Sequence, residues 1–302
     1  MKRPRIAVVG SLNMDLVVSM PRMPQVGETV HGTDIHYIPG GKGANQAVGC
    51  ARLGAEVSMI GAVGSDHFGR EMLERLQEEG IDLGGVHTAE GPTGTAAIFH
   101  TAEDNCIAVV PGANAYCTPE LVERHRERIE SADVLLVQLE VPLDTVHRAL
   151  EIARQAGVRT VLNPAPAKVL PAPLLSLADI LTPNETEFAL LSGEQDTSEE
   201  VLRRVMIAWQ QDYGHTVILT RGRLGSSWLD EGERLRTEPA LPVETVDTTG
   251  AGDAFNAALC FGLASGWDLQ KAADFACRAA SVSVTRFGAQ AGMPRLEEVP
   301  ER

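Results

Sequence analysis

The segment 247–253, Asp-Thr-Thr-Gly-Ala-Gly-Asp, sets an acid directly behind two glycines and ahead of an apolar run of helical period. A helix that begins there leaves amides unpaired, and its dipole favours negative charge. Gly250, Ala251 and Gly252 are therefore a candidate anion hole for a phosphoryl group in flight. Asp253 beside them is a candidate base for the proton of an attacking hydroxyl. A capping aspartate after turn glycines explains the same residues without any chemistry. The pattern is neither a Walker A nor GxGxxG, because no Lys-Ser/Thr pair follows the glycines.

Three further constellations bear on that choice. Gly-Gly-Lys-Gly-Ala-Asn at 40–45 is a second glycine-rich helix entry, in which Gly41 and its neighbours expose amides and Asn45 offers a donor and an acceptor. Lys42 is either a phosphate contact or an exposed turn residue. Asn13 and Asp15 lie two apart and share one side of an extended segment, which suits a grip on adjacent sugar hydroxyls; an Asx turn is the bland alternative. Asn184 and Glu187 lie three apart on a starting helix, placed for metal or water organisation, for a capping box, or for both. The eight histidines form no ligand spacing and no EF-hand loop occurs, which argues against a tight structural metal.

The elements that must position these residues alternate. Strand patterns at 5–10, 56–64, 132–140, 158–166 and 215–222 are interleaved with helical patterns at 43–54, 67–79, 143–157 and 198–212, with a mixed segment at 178–193. The fold class is α/β, with a largely parallel sheet covered by helices on both faces. Segments 27–41 and 94–112 read as strands without crossover helices, the second as a hairpin turning at Glu103-Asp104-Asn105. A small antiparallel β lid, approximately 14–38 and 94–110, inserted in a single domain spanning 1–302, accounts for both.

Composition sets the class of partner. The 302 residues carry 41 acids against 26 Lys and Arg, a net charge of -15, with 44% apolar residues. That balance argues against nucleic acid and anionic membrane, but not against a phosphorylated ligand bound by local amides. No stretch has the roughly 20 apolar residues of a membrane span, and the start does not read as a signal peptide. Five cysteines without CxxC spacing read as reduced thiols, which makes the cytoplasm the expected compartment.

With these segments assembled, the chain resembles the PfkB carbohydrate kinase family over nearly all of 1–302, and Asn-Met-Asp-Leu-Val-Val from Asn13 favours its ribokinase branch. The resemblance implies ATP-dependent phosphorylation of D-ribose at the 5-hydroxyl, with Asp253 as base and Gly250, Ala251 and Gly252 as anion hole. It assigns Asn13, Asp15, Gly41, Lys42, Asn45 and Glu140 to the sugar, and Asn184, Thr220, Arg221 and Gly222 to the nucleotide. Relatives often carry Lys at the position of Arg221. Glu187 is implied in binding magnesium (Mg2+), through water. Asp247, Thr249, Ser283, Arg286 and Gly288 are implied around potassium (K+), with Gly292 standing where a hydroxyl side chain is common. The lid implies a homodimer. A fructose or nucleoside kinase would keep the catalytic residues and change only the lid and sugar pocket. A dehydrogenase would want GxGxxG after the first strand, where Gly-Ser-Leu-Asn-Met-Asp stands.

Overall fold

The computed structural model describes residues 3–101 and 105–301. The turn expected around Glu103 and Asp104 lies outside them, as does the side chain of Asn105. Thirteen strands occur among the described residues: β1 (Arg5–Val9), β2 (Asn13–Ser19), β3 (Asp34–Gly40), β4 (Glu56–Gly64), β5 (Asp82–Ala89), β6 (Gly94–His100), β7 (Asn105–Val110), β8 (Val134–Val137), β9 (Arg159–Leu162), β10 (Ile180–Leu181), β11 (Thr216–Thr220), β12 (Ser226–Leu229) and β13 (Leu235–Glu238). The main sheet runs β13-β12-β11-β10-β9-β8-β1-β4-β5. Neighbours from β5 to β11 are parallel, and β12 and β13 complete one edge antiparallel.

Strand alternation makes this a two-faced core. Ile6 and Val8 of β1 join the cluster beneath helices Lys42–Arg52 and Ala251–Ala264, whereas Ala7 and Val9 face helix Leu143–Ala156. Helix Ala251–Ala264 is buried continuously from Asp253 to Leu263, so it carries apolar residues on all sides rather than in a stripe. From β1 the chain order runs one way to β4 and β5 and the other way to β8 and beyond. That reversal opens a crevice at the carboxyl ends of β1 and β8, the usual ligand position in open α/β sheets.

The second sheet runs β3-β2-β6-β7. Two antiparallel pairs, β2–β3 and β6–β7, meet through a parallel contact between β2 and β6. The strand expected over 27–41 begins only at Asp34; residues 27–33 are largely exposed and pair with no strand, their bonds being those of Thr33 to Ser19 and of Glu28 to Gln25 and the Arg22 guanidinium. Residues directly opposite share a face. Asp15 and Val17 therefore lie with Ile38, His36, Ala96, Ile98, Val109 and Ile107, while Leu16 and Val18 lie with Tyr37, Ile35, Ala97 and Phe99. The exposed apolar side chains Phe99, Ile107 and Val109 are thus divided between the two faces, not gathered on one.

Candidate active site

Helix Ala251–Ala264 starts from Gly250, whose φ of 81° is left-handed and whose side gives no capping bond. A Cβ there would stand 2.9 Å from Ala289, so both the turn and the close approach call for glycine. Asp253 is consequently the third residue of the helix and not its cap. Its carboxylate is buried and turned onto the other glycine-rich helix: Oδ2 accepts from Asn45 Nδ2 at 2.9 Å, and Oδ1 from Gln46 Nε2 at 2.8 Å. Burial pushes its pKa up, against the Lys42 charge and the two amide donors, with Glu140 adding to the rise. The capping alternative for this acid is thereby removed.

Strand β1 leads into Ser11, whose hydroxyl donates to Glu140 Oε2 at 2.5 Å; the Lys42 amide donates to the same oxygen at 2.9 Å. Helix Lys42–Arg52 is anchored there as well, through Gly43 N to Ser11 Oγ and Ala44 N to the Ser11 carbonyl. Glu140 follows β8, so the carboxyl ends of two neighbouring strands and one helix start converge. Asn13 opens β2 and accepts from Asn114 Nδ2 at 2.7 Å. Asp15 follows on the same face, as the spacing requires. Burial, reinforced by Glu140 and Asp253, lifts the Asp15 pKa to about 7 despite Lys42. For Lys42, burial works against the charged form, but Asp253, Glu140, Glu187 and Asp15 prevail and its pKa rises. These mutual influences place one ammonium among four carboxylates in a single cleft.

Asn184 and Glu187 form the capping box: Glu187 Oε2 accepts from Asn184 N and Asn184 Oδ1 from Glu187 N, each at 2.8 Å. Burial raises the Glu187 pKa; the Asn184 amide and Lys42 oppose it. A bridge joins Asn184 to Thr220 at the end of β11. Gly222 then opens a 3-10 turn, while the Arg221 guanidinium bonds Glu185 at 3.2 Å and Ser227 at 3.5 Å. Arg221 is thus held by protein partners next to Thr220.

Asp247 ties the Gly250 turn to the loop after helix Leu269–Ser283. Its Oδ2 accepts from Gly288 N at 2.8 Å, and its Oδ1 from Thr249 N and Oγ1 at 2.9 and 2.7 Å. Burial would raise its pKa, but these donors hold it below the usual carboxylate value. The Ser283 hydroxyl bonds back to Ala280 O and the Arg286 guanidinium turns to Glu298, so only their carbonyls remain for this loop's interior. A Cβ on Gly292 would meet the Ser283 carbonyl oxygen at 2.7 Å, which explains why this backbone carries no side chain there.

Five polar residues of this region, Ser11, Gln46, Asn114, Gln138 and Asn163, are absent from the sequence-based site. Gln138 and Asn163 directly follow the fully apolar β8 and the buried end of β9. A polar residue at the carboxyl end of a buried parallel strand is the signal that marks them.

A model of the pfkB family carbohydrate kinases matches residues 3–296. The chain is 43% identical over 297 residues to the ribokinase of Bacillus subtilis (strain 168), covering 98% of each chain. It is 34% identical over 299 residues to the deoxyribokinase of Salmonella typhi, covering 98% of this chain and 97% of that one. The structure of Arabidopsis thaliana ribokinase complexed with ribose and ATP is similar at a TM-score of 0.92 and 32% identity, covering 99% of this chain and 98% of that one. Family match and shared architecture lead to one statement: the chain belongs to the pfkB family of carbohydrate kinases.

Proposed function

We propose that the chain transfers the γ-phosphoryl group of ATP to the 5-hydroxyl of D-ribose, giving D-ribose 5-phosphate and ADP. The observation that carries this reading is the buried Asp253 carboxylate, fixed by two side-chain amides at a helix start and facing Lys42. The likeness to ribokinases, one of them complexed with ribose and ATP, supports the substrate pair. Asp253 takes the hydroxyl proton as the sugar oxygen forms its bond to phosphorus and the bond to ADP breaks. In the turn Gly250, Ala251 and Gly252 the Ala251 amide donates to the Thr248 carbonyl at 3.2 Å, and the remaining amides stabilise the charge that grows on the transferring group. Asp15 and Glu140 accept from sugar hydroxyls, and Asn13, with its oxygen engaged by Asn114, presents its NH2. Asn45 contributes a carbonyl oxygen that is buried without a partner, fit for a sugar hydroxyl. Gly41 and Lys42 complete that side.

Asn184, Thr220, Arg221 and Gly222 line the nucleotide side. No group of three or more His, Cys, Asp or Glu suited to a metal occurs among the described residues. The fit for magnesium is therefore Glu187, whose capping box uses one carboxylate oxygen and leaves the other for a metal-bound water. When bound, magnesium neutralises charge on the β- and γ-phosphates. Asp247 and the carbonyls of Thr249, Ser283, Arg286 and Gly288 fit potassium, which supplies positive charge behind the anion hole. No helix among the described residues is long and apolar enough to cross a membrane. Free thiols at all five cysteines and the use of ATP favour the cytoplasm.

Coupled ADP release with D-ribose, 2-deoxyribose, fructose, adenosine and inosine tests the reading. D-ribose is expected to give the highest kcat/KM. A higher value on fructose or a nucleoside would overturn the ribose assignment and leave phosphoryl transfer standing.

A further inference from the structure

Behind Asp253 lies a row of buried amide side chains that touches neither glycine-rich turn. Gln46 is fully buried and donates from one nitrogen to both Asp253 Oδ1, at 2.8 Å, and Asn163 Oδ1, at 3.1 Å. Its own oxygen accepts from Gln138 Nε2 at 2.6 Å, and Gln138 is also fully buried. Asn163 is held in turn through Nδ2 to the Thr182 carbonyl at 3.1 Å. Gln138 and Asn163 sit on consecutive strand ends of the rigid sheet, so the row runs from the scaffold to the carboxylate.

Three of these amides have no reason of stability to be there. Burying an amide is costly unless it is fully bonded, and an apolar residue of equal size would fill the same space. Gln138 leaves its own oxygen without a partner among the described residues. What the row does accomplish is directional. An amide can flip, but Gln46 presents NH2 to Asp253 because a carboxylate only accepts; the Asn163 oxygen on the same nitrogen, itself set by the Asn163 bond to the Thr182 carbonyl, and the Gln138 Nε2 on the Gln46 oxygen both agree with that orientation. With Asn45 on the second carboxylate oxygen, rotation of the Asp253 carboxylate is restrained from both sides.

We infer that Gln46 is a positioning residue for the base, oriented by Gln138 and Asn163, and that this row aims the Asp253 carboxylate at the sugar's reacting hydroxyl. The inference rests on Asp253 being the base. Proton abstraction is sensitive to small misplacements, of which 1 Å can cost about 10²-fold. Gln138 makes no hydrogen bond to Asp253 among the described residues and is linked to it through Gln46.

The test is a double-mutant cycle of Gln46→Met and Gln138→Met on the full chain, with D-ribose affinity measured by calorimetry and kcat by ADP release. Gln46→Met is expected to lower kcat about 10–10²-fold while KM and the calorimetric Kd for ribose stay within about threefold. Gln138→Met is expected to lower kcat less, and to have no further effect once Gln46 is Met. Additive effects, or a kcat within about twofold of the parent in Gln46→Met, would overturn the inference. Should Gln46→Met not fold, Gln138→Met alone decides by the same split between kcat and KM. Asp253→Asn run in parallel separates the two readings: if it turns over like the parent, the base assignment fails; if it is inactive while Gln46→Met is not, only the positioning role fails.

Discussion

At the scale of single residues, the cleft concentrates carboxylates at a cost that substrate binding can recover. Asp253→Asn keeps the size, can accept from only one of the two amide donors, and cannot take the hydroxyl proton. Turnover is expected to fall about 10²–10⁴-fold with ribose binding retained in calorimetry. Asp15 makes a separate prediction, because its pKa stands at about 7 against 3.8 for an ordinary aspartate. Sugar hydroxyls donate to the ionised form, so ribose binding below pH 7 must first release a proton. KM for ribose is expected to rise as pH falls through 7, approaching tenfold per unit, and Asp15→Asn should flatten that dependence while weakening binding. The linkage to stability has the opposite sign. Between 3.8 and about 7 the folded state keeps a proton that the unfolded chain has lost, so the free enzyme loses stability over that window and stays lower above it. At pH 8, Asp15→Asn is therefore expected to raise stability by about 1–2 kcal/mol, roughly 2–8 °C in Tm. Differential scanning calorimetry without sugar reads this directly.

At the scale of elements, the site is made by ends. The carboxyl ends of β1 and β8, the starts of helices Lys42–Arg52 and Ala251–Ala264, and the capping box after β10 each deliver one or two groups. Asp247 links the anion-hole turn to the Gly288 loop through bonds at 2.8–2.9 Å, so the order of one depends on the other. A monovalent cation held there, as proposed, would tighten the Gly250 turn without touching the sugar. Rates in potassium chloride are expected to exceed those in sodium chloride several-fold at equal ionic strength and saturating magnesium. Equal rates in both salts, and with neither, would reject the coupling. The helices themselves are held by apolar packing, so the salt comparison should leave Tm nearly unchanged.

At the scale of the whole molecule, the lid is the exposed part. Its face with Asp15 carries Val17, Ile98, Ile107 and Val109, and Ile107 and Val109 are each 53% exposed. A four-stranded sheet with little core of its own gains from burying such a face. Seating it against the same face of a second copy would cover those side chains and close the proposed sugar cleft from water. If the chain dimerises in this way, Ile107→Asp, which sets a charge in that contact, shifts the mass from dimer to monomer in light scattering and raises KM for ribose several-fold; a monomeric parent would reject the dimer. An unchanged dimer would show that the contact lies elsewhere. On the opposite face, Tyr37 packs on Phe68 with ring centroids 5.6 Å apart, which steadies β3 there.

The sequence by itself determined the parallel strands from β4 to β11 and singled out candidate charged residues, because both are written in local patterns; β5, β12 and β13 did not stand out in it. The strand read at 56–64 is β4 residue for residue, and a strand with both faces buried shows itself as a continuous apolar run. Glycines before helices and carboxylates at fixed spacing are likewise local, which is why Asp15, Glu187 and Asp253 could be picked out without coordinates. Residues 27–33 looked strand-like and are not, because a strand exists only where a partner offers bonds, and here pairing begins at Asp34. Only the tertiary structure decided that Asp253 is no cap, since that depends on Asn45 and Gln46 arriving from another helix. It alone decided which lid residues share a face with Asp15, because register is set between strands. The partners of the buried amides Gln46, Gln138 and Asn163 were illegible for the same reason, although the place of Gln138 and Asn163 after buried strands marks those two. A neutral polar residue reads as surface until the fold encloses it, and its role is defined by partners 92 and 117 positions away in the chain.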